Sequence, residues 1–528
     1  MLFTQKKTIR NTFFTLFLIL IVIFSTSCTL LSSNEQIEER PLYGTLIMSN
    51  KPIILQSGGR IENSSESYYQ WYRSLDGTTD NSIVIEGATE PSYTVDVFSN
   101  RDVKYFYCVT TNIVDNHKSF TTSRVFSIIN TGLPTLYIDT DNSEITKGEY
   151  VEDCDLTLVD IDDSQVSYDE LKIKGRGNTS WRMPKKSYSL KLHKKKSLLD
   201  MEKNKKWVLI ANYDDKSLLR NYFASSIGNN IFDNMEWNPS FEFVDLILDG
   251  DYLGNYLLGE KIKISGNRVD IQDMSDIEED VNGDDEININ DGGFIIEVNE
   301  RMDEDYNFRT THNVAISLSD PDDKEDVSKD MFAYAKNIVQ SAEYSLYSPN
   351  FKDPNEGYSK YFDVDSVIDW YLVNEFTKNN DAAFFSSVYL YYNPITEKLY
   401  MGPNWDFDIS CGNINYNNSD DYTGFRIKNS KWIKKMFEDP AFVEKVKLRW
   451  NEVKDELYTA VNEDLQNNAD ELKVSASYNF KKWPILGSYV WPNADGYKDR
   501  DTYQKEVDYM INWLNNRYDW LDNNFQNL

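Results

Sequence analysis

Histidine is almost missing from this chain: His117, His193 and His312 are the only three among 528 residues, and none stands beside a serine or cysteine motif. A Ser-His-Asp relay or a histidine-bound metal is therefore a poor starting point for its chemistry. Cysteine is scarce as well, at four residues. With Cys28 assigned to the amino-terminal leader, Cys108, Cys154 and Cys411 are left for the fold. An odd count does not make a disulfide framework, and these three read as small buried side chains with no metal role. Positive charge is in deficit: 55 Lys and Arg against 86 Asp and Glu leave a net charge of −31. Such a surface repels phosphate backbones and anionic lipid, which excludes a nucleic-acid groove and a basic membrane-docking face. The apolar run from Phe13 to Phe24 is shorter than the roughly 20 residues a membrane-spanning helix needs.

That run is preceded by Lys6, Lys7 and Arg10 and followed by Ser25-Thr26-Ser27-Cys28, the layout of a secretory leader over residues 1–28. The small residues before Cys28 resemble a bacterial lipobox, with Ser25 where Leu is usual. In such a box the cysteine is lipidated and becomes the first mature residue. The expectation is an extracytoplasmic protein attached to the bacterial cell membrane by a lipid anchor at Cys28; simple cleavage or an uncleaved anchor is the alternative. Residues 29–40 are polar and read as a linker.

Residues 41–131 carry an all-β pattern. Tyr68-Tyr69-Gln70-Trp71-Tyr72-Arg73 alternates, Asp76-Gly77 marks a turn, and further short strands follow at Ser82 to Ile85, Tyr93 to Val97, Val103 to Thr110 and Val125 to Ile129. Trp71 followed by Tyr105-Phe106-Tyr107-Cys108 resembles two facing strands of an immunoglobulin-like sandwich, without the partner cysteine. Such a module serves as a spacer or an adhesive unit.

Residues 132–528 read as one large α+β unit. Strand patterns dominate its first half, at Thr135 to Ile138, Leu171 to Lys174, Tyr188 to Leu192, Trp207 to Ala211, Phe241 to Leu248, Tyr252 to Ile264 and Gly293 to Val298. Helical spacing dominates the second. A helix over Ser366 to Lys378 is predicted with Asp365 as its cap, another starts at Asp439-Pro440, and a last one carries Val507, Met510, Trp513, Leu514 and Trp520.

The chemistry-bearing residues cluster in a few segments. Asp381 and Asn404-Trp405-Asp406-Phe407-Asp408 flank a predicted hairpin, strand Phe384 to Tyr392, turn Asn393-Pro394, strand Lys398 to Met401. Two acids at the ends of one hairpin suit phosphoryl transfer, where one accepts a proton from the attacking hydroxyl and the other holds the cation that shields the phosphates. Gly175 and Gly177, in Lys174-Gly175-Arg176-Gly177, allow backbone amides to approach phosphate oxygens; a tight hairpin turn explains them equally. Lys186 falls in phase with Tyr188, Leu190 and Leu192, so it needs a partner and is the first choice for a phosphate. Lys191 is the second choice, and a solvated basic hairpin running on through Lys194-Lys195-Lys196 is the alternative. In Asp214-Asp215-Lys216-Ser217-Leu218-Leu219-Arg220-Asn221, Ser217 or Asp215 is expected to cap a helix, with Arg220 answering a carboxylate or a phosphate. Glu260, a charge in an apolar strand, calls for an ionic partner. Asp280 to Glu286 has the look of a calcium loop, but Asp285 stands where glycine belongs; an acidic insertion is the simpler reading.

Taken in order, these segments resemble the CotH (spore coat protein H) kinase family. They are Gly-Arg-Gly-Asn-Thr-Ser-Trp, Pro-Lys-Lys-Ser-Tyr-Ser-Leu-Lys-Leu, Trp-Val-Leu-Ile-Ala-Asn-Tyr-Asp-Asp-Lys-Ser-Leu-Leu-Arg-Asn, Tyr-Leu-Gly-Asn-Tyr-Leu-Leu-Gly-Glu-Lys-Ile, Asn-Asn-Asp at 379–381 and Met-Gly-Pro-Asn-Trp-Asp-Phe-Asp-Ile-Ser. The resemblance implies a two-lobed, atypical protein-kinase-like domain that transfers phosphate from ATP, with Mg²⁺ or Mn²⁺, to serine on a partner protein. It implies Asp381 as the catalytic acid, Asp406 as a metal ligand supported by Asp408, and Lys186 on the nucleotide phosphates. Ser386 stands where ordinary kinases place a metal-binding asparagine. The rival from another class is a catalytically silent surface scaffold or adhesin that keeps the fold. A sugar-binding or wall-modifying protein is a third reading, weakened by the lack of an acid pair placed for a sugar cleft.

Overall fold

The computed structural model describes residues 45–47, 53–96, 102–161, 165–277, 291–322 and 327–528. The leader with Cys28, the linker at 29–40 and the acidic run at 280–286 lie outside the described residues. The amino-terminal region is all-β. Strands β1 (Thr45–Ile47), β8 (Phe126–Asn130), β6 (Asp102–Val114), β3 (Glu66–Ser74) and β4 (Ser82–Val84) neighbour one another in a sheet that β7 (His117–Thr122) joins along β6; β2 (Ile53–Gln56) and β5 (Ser92–Val95) pair separately. Trp71 lies opposite Cys108 in the β3–β6 register, and the two are buried with Leu55, Val95, Phe106, Phe126 and Ile128. This arrangement is consistent with an immunoglobulin-like module. The Tyr105 hydroxyl meets that of Tyr478 at 3.1 Å, and Ile129 shares a small core with Ile247, Tyr252 and Tyr478, so this module is packed against the larger unit.

Seven strands then close into a barrel, in the order β10 (Val151–Val159), β11 (Gln165–Arg176), β12 (Ser187–Lys196), β13 (Asn204–Ile210), β15 (Asp251–Glu260), β14 (Phe241–Leu248) and β9 (Thr135–Asp139). Alternation along each strand sends Leu136, Leu156, Ile173, Leu190, Trp207, Leu246 and Leu258 into a common core. Between β13 and β14 runs α1 (Arg220–Asn230). The sequence placed this helix's cap at Asp215 or Ser217. The helix instead begins at Arg220, because the Asp215 carboxylate accepts the amides of both Ser217 (3.0 Å) and Arg220 (2.8 Å) and so spans the intervening turn.

The carboxyl-terminal half combines helices with a second sheet, ordered β17 (Asn307–Arg309), β18 (Ala315–Asp320), β16 (Phe294–Val298), β19 (Val388–Asn393) and β20 (Lys398–Met401). Around it lie α2 (Lys329–Tyr347), α3 (Val364–Thr377), α4 (Lys431–Met436), α5 (Pro440–Thr459), α6 (Leu465–Lys482) and α7 (Tyr503–Phe525). The Asp439 cap on α5 is present, accepting the Ala441 amide at 3.0 Å. The cap of α3 is Asp363 rather than Asp365, because the Asp363 amide donates to Leu399 O on β20 (2.9 Å) and pins that residue as the helix entry. No helix among the described residues is long and apolar enough to cross a membrane.

Helix α3 is buried from Ser366 to its end at Thr377, and one ion pair fastens it. Arg517 on α7 donates to Glu375 Oε1 at 2.7 Å, with both side chains fully buried. The same carboxylate accepts the amides of Arg426 (2.7 Å) and Lys428 (2.8 Å). Removing one partner of such a pair leaves the other charge stranded. Glu375→Ala is expected to lower the unfolding free energy by about 3–5 kcal/mol, measured by urea titration; a change below about 1 kcal/mol, the scale of an exposed pair, would contradict the account.

Candidate active site

Helix α3 stops at Lys378, which adopts a left-handed conformation (φ 50°, ψ 45°). The Lys378 ammonium caps the carbonyls of Asn418 (2.7 Å), Asp421 (2.5 Å) and Thr423 (2.7 Å). This delivers Asn379-Asn380-Asp381 to the start of the β19–β20 hairpin. The sequence predicted a strand from Phe384. Residues 381–386 instead form a turn closed by the Phe385 amide on Asp381 O (2.9 Å), with Phe384 and Ser387 both at positive φ (64° and 60°), and β19 starts only at Val388. Left-handed backbone at two non-glycine residues is strain of the kind that gathers at functional sites.

The turn binds both acids. Ser386 Oγ donates to Asp381 Oδ2 and Ser387 Oγ to Asp406 Oδ2, each at 3.1 Å. Asn379 spans the two segments: its side-chain nitrogen donates to Asp406 O (3.2 Å) and its oxygen accepts the Asp381 amide (3.3 Å). Asn380 donates to Asp381 Oδ1 at 3.2 Å. Asp406 itself sits at φ 67°. The following residues are fixed from other elements: the Phe407 amide donates to Asn221 Oδ1 of α1 (2.7 Å), and Asn413 donates to Asp408 O (2.8 Å).

Electrostatics show that these acids share one locality. The Asp381 carboxyl is held above its usual range by burial and then by the charge of Asp406, against hydrogen bonds from Asn380 and Ser386 and the charge of Arg301. Asp408 is pushed well up by burial and by Asp214, Asp406 and Asp381. Asp214 rises to about 7, through burial and then Asp215 and Asp406. Glu297 on β16 also rises to about 7, through burial, Glu304 and Asp406, opposed by the Ser387 amide on its Oε1 (2.9 Å). Asp406 acts on all of them. The cation that faces it is Arg176, whose guanidinium lies 5.2 Å from the Trp405 ring centre and is electrostatically coupled to Asp406.

Several oxygen donors with too little positive charge among them fit a hard divalent cation. Among the described residues no three His, Cys, Asp or Glu side chains stand ready to cage an ion alone. Mg²⁺ does not require it, since it is commonly held by one or two carboxylates together with substrate phosphates. Asp406 and Asp408, whose charges act on each other, are the carboxylates that could hold an ion in this way.

The remaining sequence candidates are placed elsewhere. Arg220 is fully buried against Asp215 (2.5 Å) and donates to Ser410 O (3.0 Å) and Cys411 O (3.3 Å). It thereby props the segment that carries Asp408. Lys186 donates to Trp181 O (2.5 Å) and lies over the Trp181 ring. Strand β12 begins only at Ser187, so alternation does not reach back to position 186, and the buried lysine is its neighbour. Lys185 is 1% exposed and donates to Ala211 O (2.7 Å), Asn479 Oδ1 (2.8 Å) and Asn255 O. Lys191 lies in register between Lys172 on β11 and Lys206 on β13. Glu260 pairs with Arg268 (3.8 Å) and accepts the Ser240 amide (3.0 Å). Gly175 and Gly177 (φ 89°) make room for Trp181 and Ser180, where a Cβ would lie 2.3 and 2.0 Å from the nearest atom. Sequence reasoning missed Arg176, Asp214 and Glu297. A lone Glu in the apolar strand Phe294-Ile295-Ile296-Glu297-Val298 carried the same signal that drew attention to Glu260.

The CotH kinase protein family matches residues 173–521. That span holds every candidate above and covers more than half of the chain, which therefore belongs to the CotH kinase family. No curated protein matches it.

The raised carboxyls make a pH prediction. Glu297 has a folded value of about 7 against an ordinary 4.5, so between those values the native state holds a proton that the unfolded chain releases. Stability of the metal-free protein should fall as pH rises through that window, with Glu297 contributing at most about 3.5 kcal/mol at about 1.4 kcal/mol per pH unit. Glu297→Gln is expected to remove Glu297's share of that slope, and leave the share of Asp214, in urea titrations with EDTA at pH 5 and pH 8. An unchanged slope would count against a poorly solvated Glu297 carboxyl.

Proposed function

We propose that the chain is an extracytoplasmic protein kinase, tethered through a lipid on Cys28, that transfers the γ-phosphate of ATP to a serine hydroxyl of a partner protein with Mg²⁺ or Mn²⁺. The observation that carries this reading is the pairing of a buried Asp381 with a half-buried Asp406: two acids coupled by charge and bound by adjacent serines of one strained turn. Asp381 accepts the hydroxyl proton as the serine oxygen bonds to the γ-phosphorus and the bond to the β-phosphate oxygen breaks, leaving ADP. Its raised proton affinity favours that transfer. Asp406 and Asp408 would hold the cation, which supplies neutralising charge to the phosphates when bound. Arg176 is the cation set against Asp406, and Lys186, ten residues on, reaches the phosphate oxygens only by giving up Trp181 O. Positioning and fixed charge account for the rate enhancement.

A silent surface scaffold is favoured by one observation: Arg220 and Lys186 both spend their charge within the chain. Incubation with labelled ATP, either metal, and casein or the chain itself as acceptor separates the two. Asp381→Asn and Asp406→Asn are each expected to cut label transfer by at least about 100-fold, the scale of a general base or a phosphate-site ligand. Asp381→Asn should keep its cation-dependent affinity for ATP, and Asp406→Asn should lose it. Transfer that survives both changes would refute the mechanism, and absence of nucleotide binding in both metals would favour the scaffold.

A further inference from the structure

Beyond the carboxylates, the site carries an aromatic rim with no role in the reaction as derived. Tyr416, in the segment after Asp408, stacks on Trp491 with ring centres 6.1 Å apart and planes 17° from parallel. Trp491 is 46% exposed and the nearby Tyr489 45%. The rim is built rather than incidental. Asn415 donates to the Tyr489 hydroxyl (3.1 Å), and Tyr489 packs on Tyr497 at 5.4 Å. The buried Lys216 ammonium holds Ser488 O at 2.5 Å. Asn493, two residues past Trp491, donates to Asn413 Oδ1 (2.9 Å) and to Asp214 O (2.7 Å), while Asn413 donates to Asp408 O (2.8 Å). Two amides therefore connect the tryptophan loop to the acid-bearing segment.

The rim is continuous with one side of the site. Asn417, next to Tyr416, donates to Asn380 Oδ1 (3.0 Å), and Arg426 donates to the same oxygen (3.1 Å), so the Tyr416 segment adjoins Asp381. Arg176 stacks instead on Trp405, the residue before Asp406, at 5.2 Å. In the kinase reading Asp406 faces the phosphates and Asp381 faces the incoming hydroxyl, so the Tyr416 side is the acceptor side. Exposed, rigidly backed indole and phenol faces gain most from another ring laid against them.

We infer that Tyr416, Trp491 and Tyr489 form the docking shelf for the acceptor protein, and that they take an aromatic side chain a few residues from the phosphorylated serine. This inference rests on the proposed kinase activity and adds a specificity to it. The occupant is an extended peptide segment, not the adenine ring, which belongs with the phosphates on the Asp406 side.

The test is a positional-scanning array of serine peptides, incubated with labelled ATP and Mg²⁺ and the full chain, alongside Mg·ATP titrations. The wild type should favour Phe, Tyr or Trp at one fixed position by at least fivefold. Trp491→Ala should flatten that preference and raise KM for the preferred peptide about tenfold, with the Kd for Mg·ATP within twofold of wild type. Trp491→Phe should restore most of the preference, which a merely unfolded loop would not allow. Transfer without aromatic selection, or selection untouched by Trp491→Ala, overturns the shelf and leaves the kinase reading standing. A tenfold loss of ATP affinity in Trp491→Ala would place the nucleotide on the rim and also overturn it. No transfer by the wild type to any peptide or to casein defeats the kinase reading and the shelf together.

Discussion

The constraint that organises this molecule is the confinement of several carboxylates around Asp406, with Arg176 set against Asp406 and Arg301 against Asp381 and Glu297. Charges of one sign in a poorly solvated site raise each other's proton affinity, and the shifts at Asp381, Asp408, Asp214 and Glu297 record that mutual repulsion. The structure resists it with neutral donors. Asn379, Asn380, Asn413, Ser386, Ser387 and the amides of residues 387 and 407 fix the acid-bearing segments without neutralising them. A site prepared this way retains an unmet demand for positive charge, and a cation with a phosphate chain meets it.

The true ion pairs are spent on scaffolding. Arg220 with Asp215 and Arg517 with Glu375 are fully buried and reach backbone carbonyls of the loops on either side of the acids. Lys378 and Lys185 do similar work with carbonyls. Cations engaged this way define where loops lie and leave no charge for a ligand. This division explains why Arg176, which among the described residues is tied to no carboxylate by an ion pair and stacks on Trp405, is the cation left facing Asp406.

The sequence was most legible where local chemistry and tertiary structure agree. Asp439-Pro440 started a helix, and the barrel strands followed their alternation. The hairpin between Asp381 and Asp406 was recognisable because acids, turn residues and β-formers fell in order. It was least legible where tertiary contacts decide. Asp363 displaced Asp365 as a cap because β20 holds its amide. Lys185 rather than Lys186 was buried because period-two reasoning was carried outside the strand. Phe384 to Ser387 left the strand pattern because serines there were needed on the two acids, a requirement invisible in β-propensity. Asp214 and Glu297 join the site from β-rich segments far along the chain, and spacing alone could not place them beside Asp406.

The most direct test of the account is a crystal structure of the chain with Mg²⁺ and a non-hydrolysable ATP analogue. The account predicts the cation in contact with Asp406, the terminal phosphate between it and Asp381, and Arg176 turned onto a phosphate oxygen. A nucleotide bound away from these groups, or an occupied site in which Asp381 and Asp406 face different cavities, would contradict it.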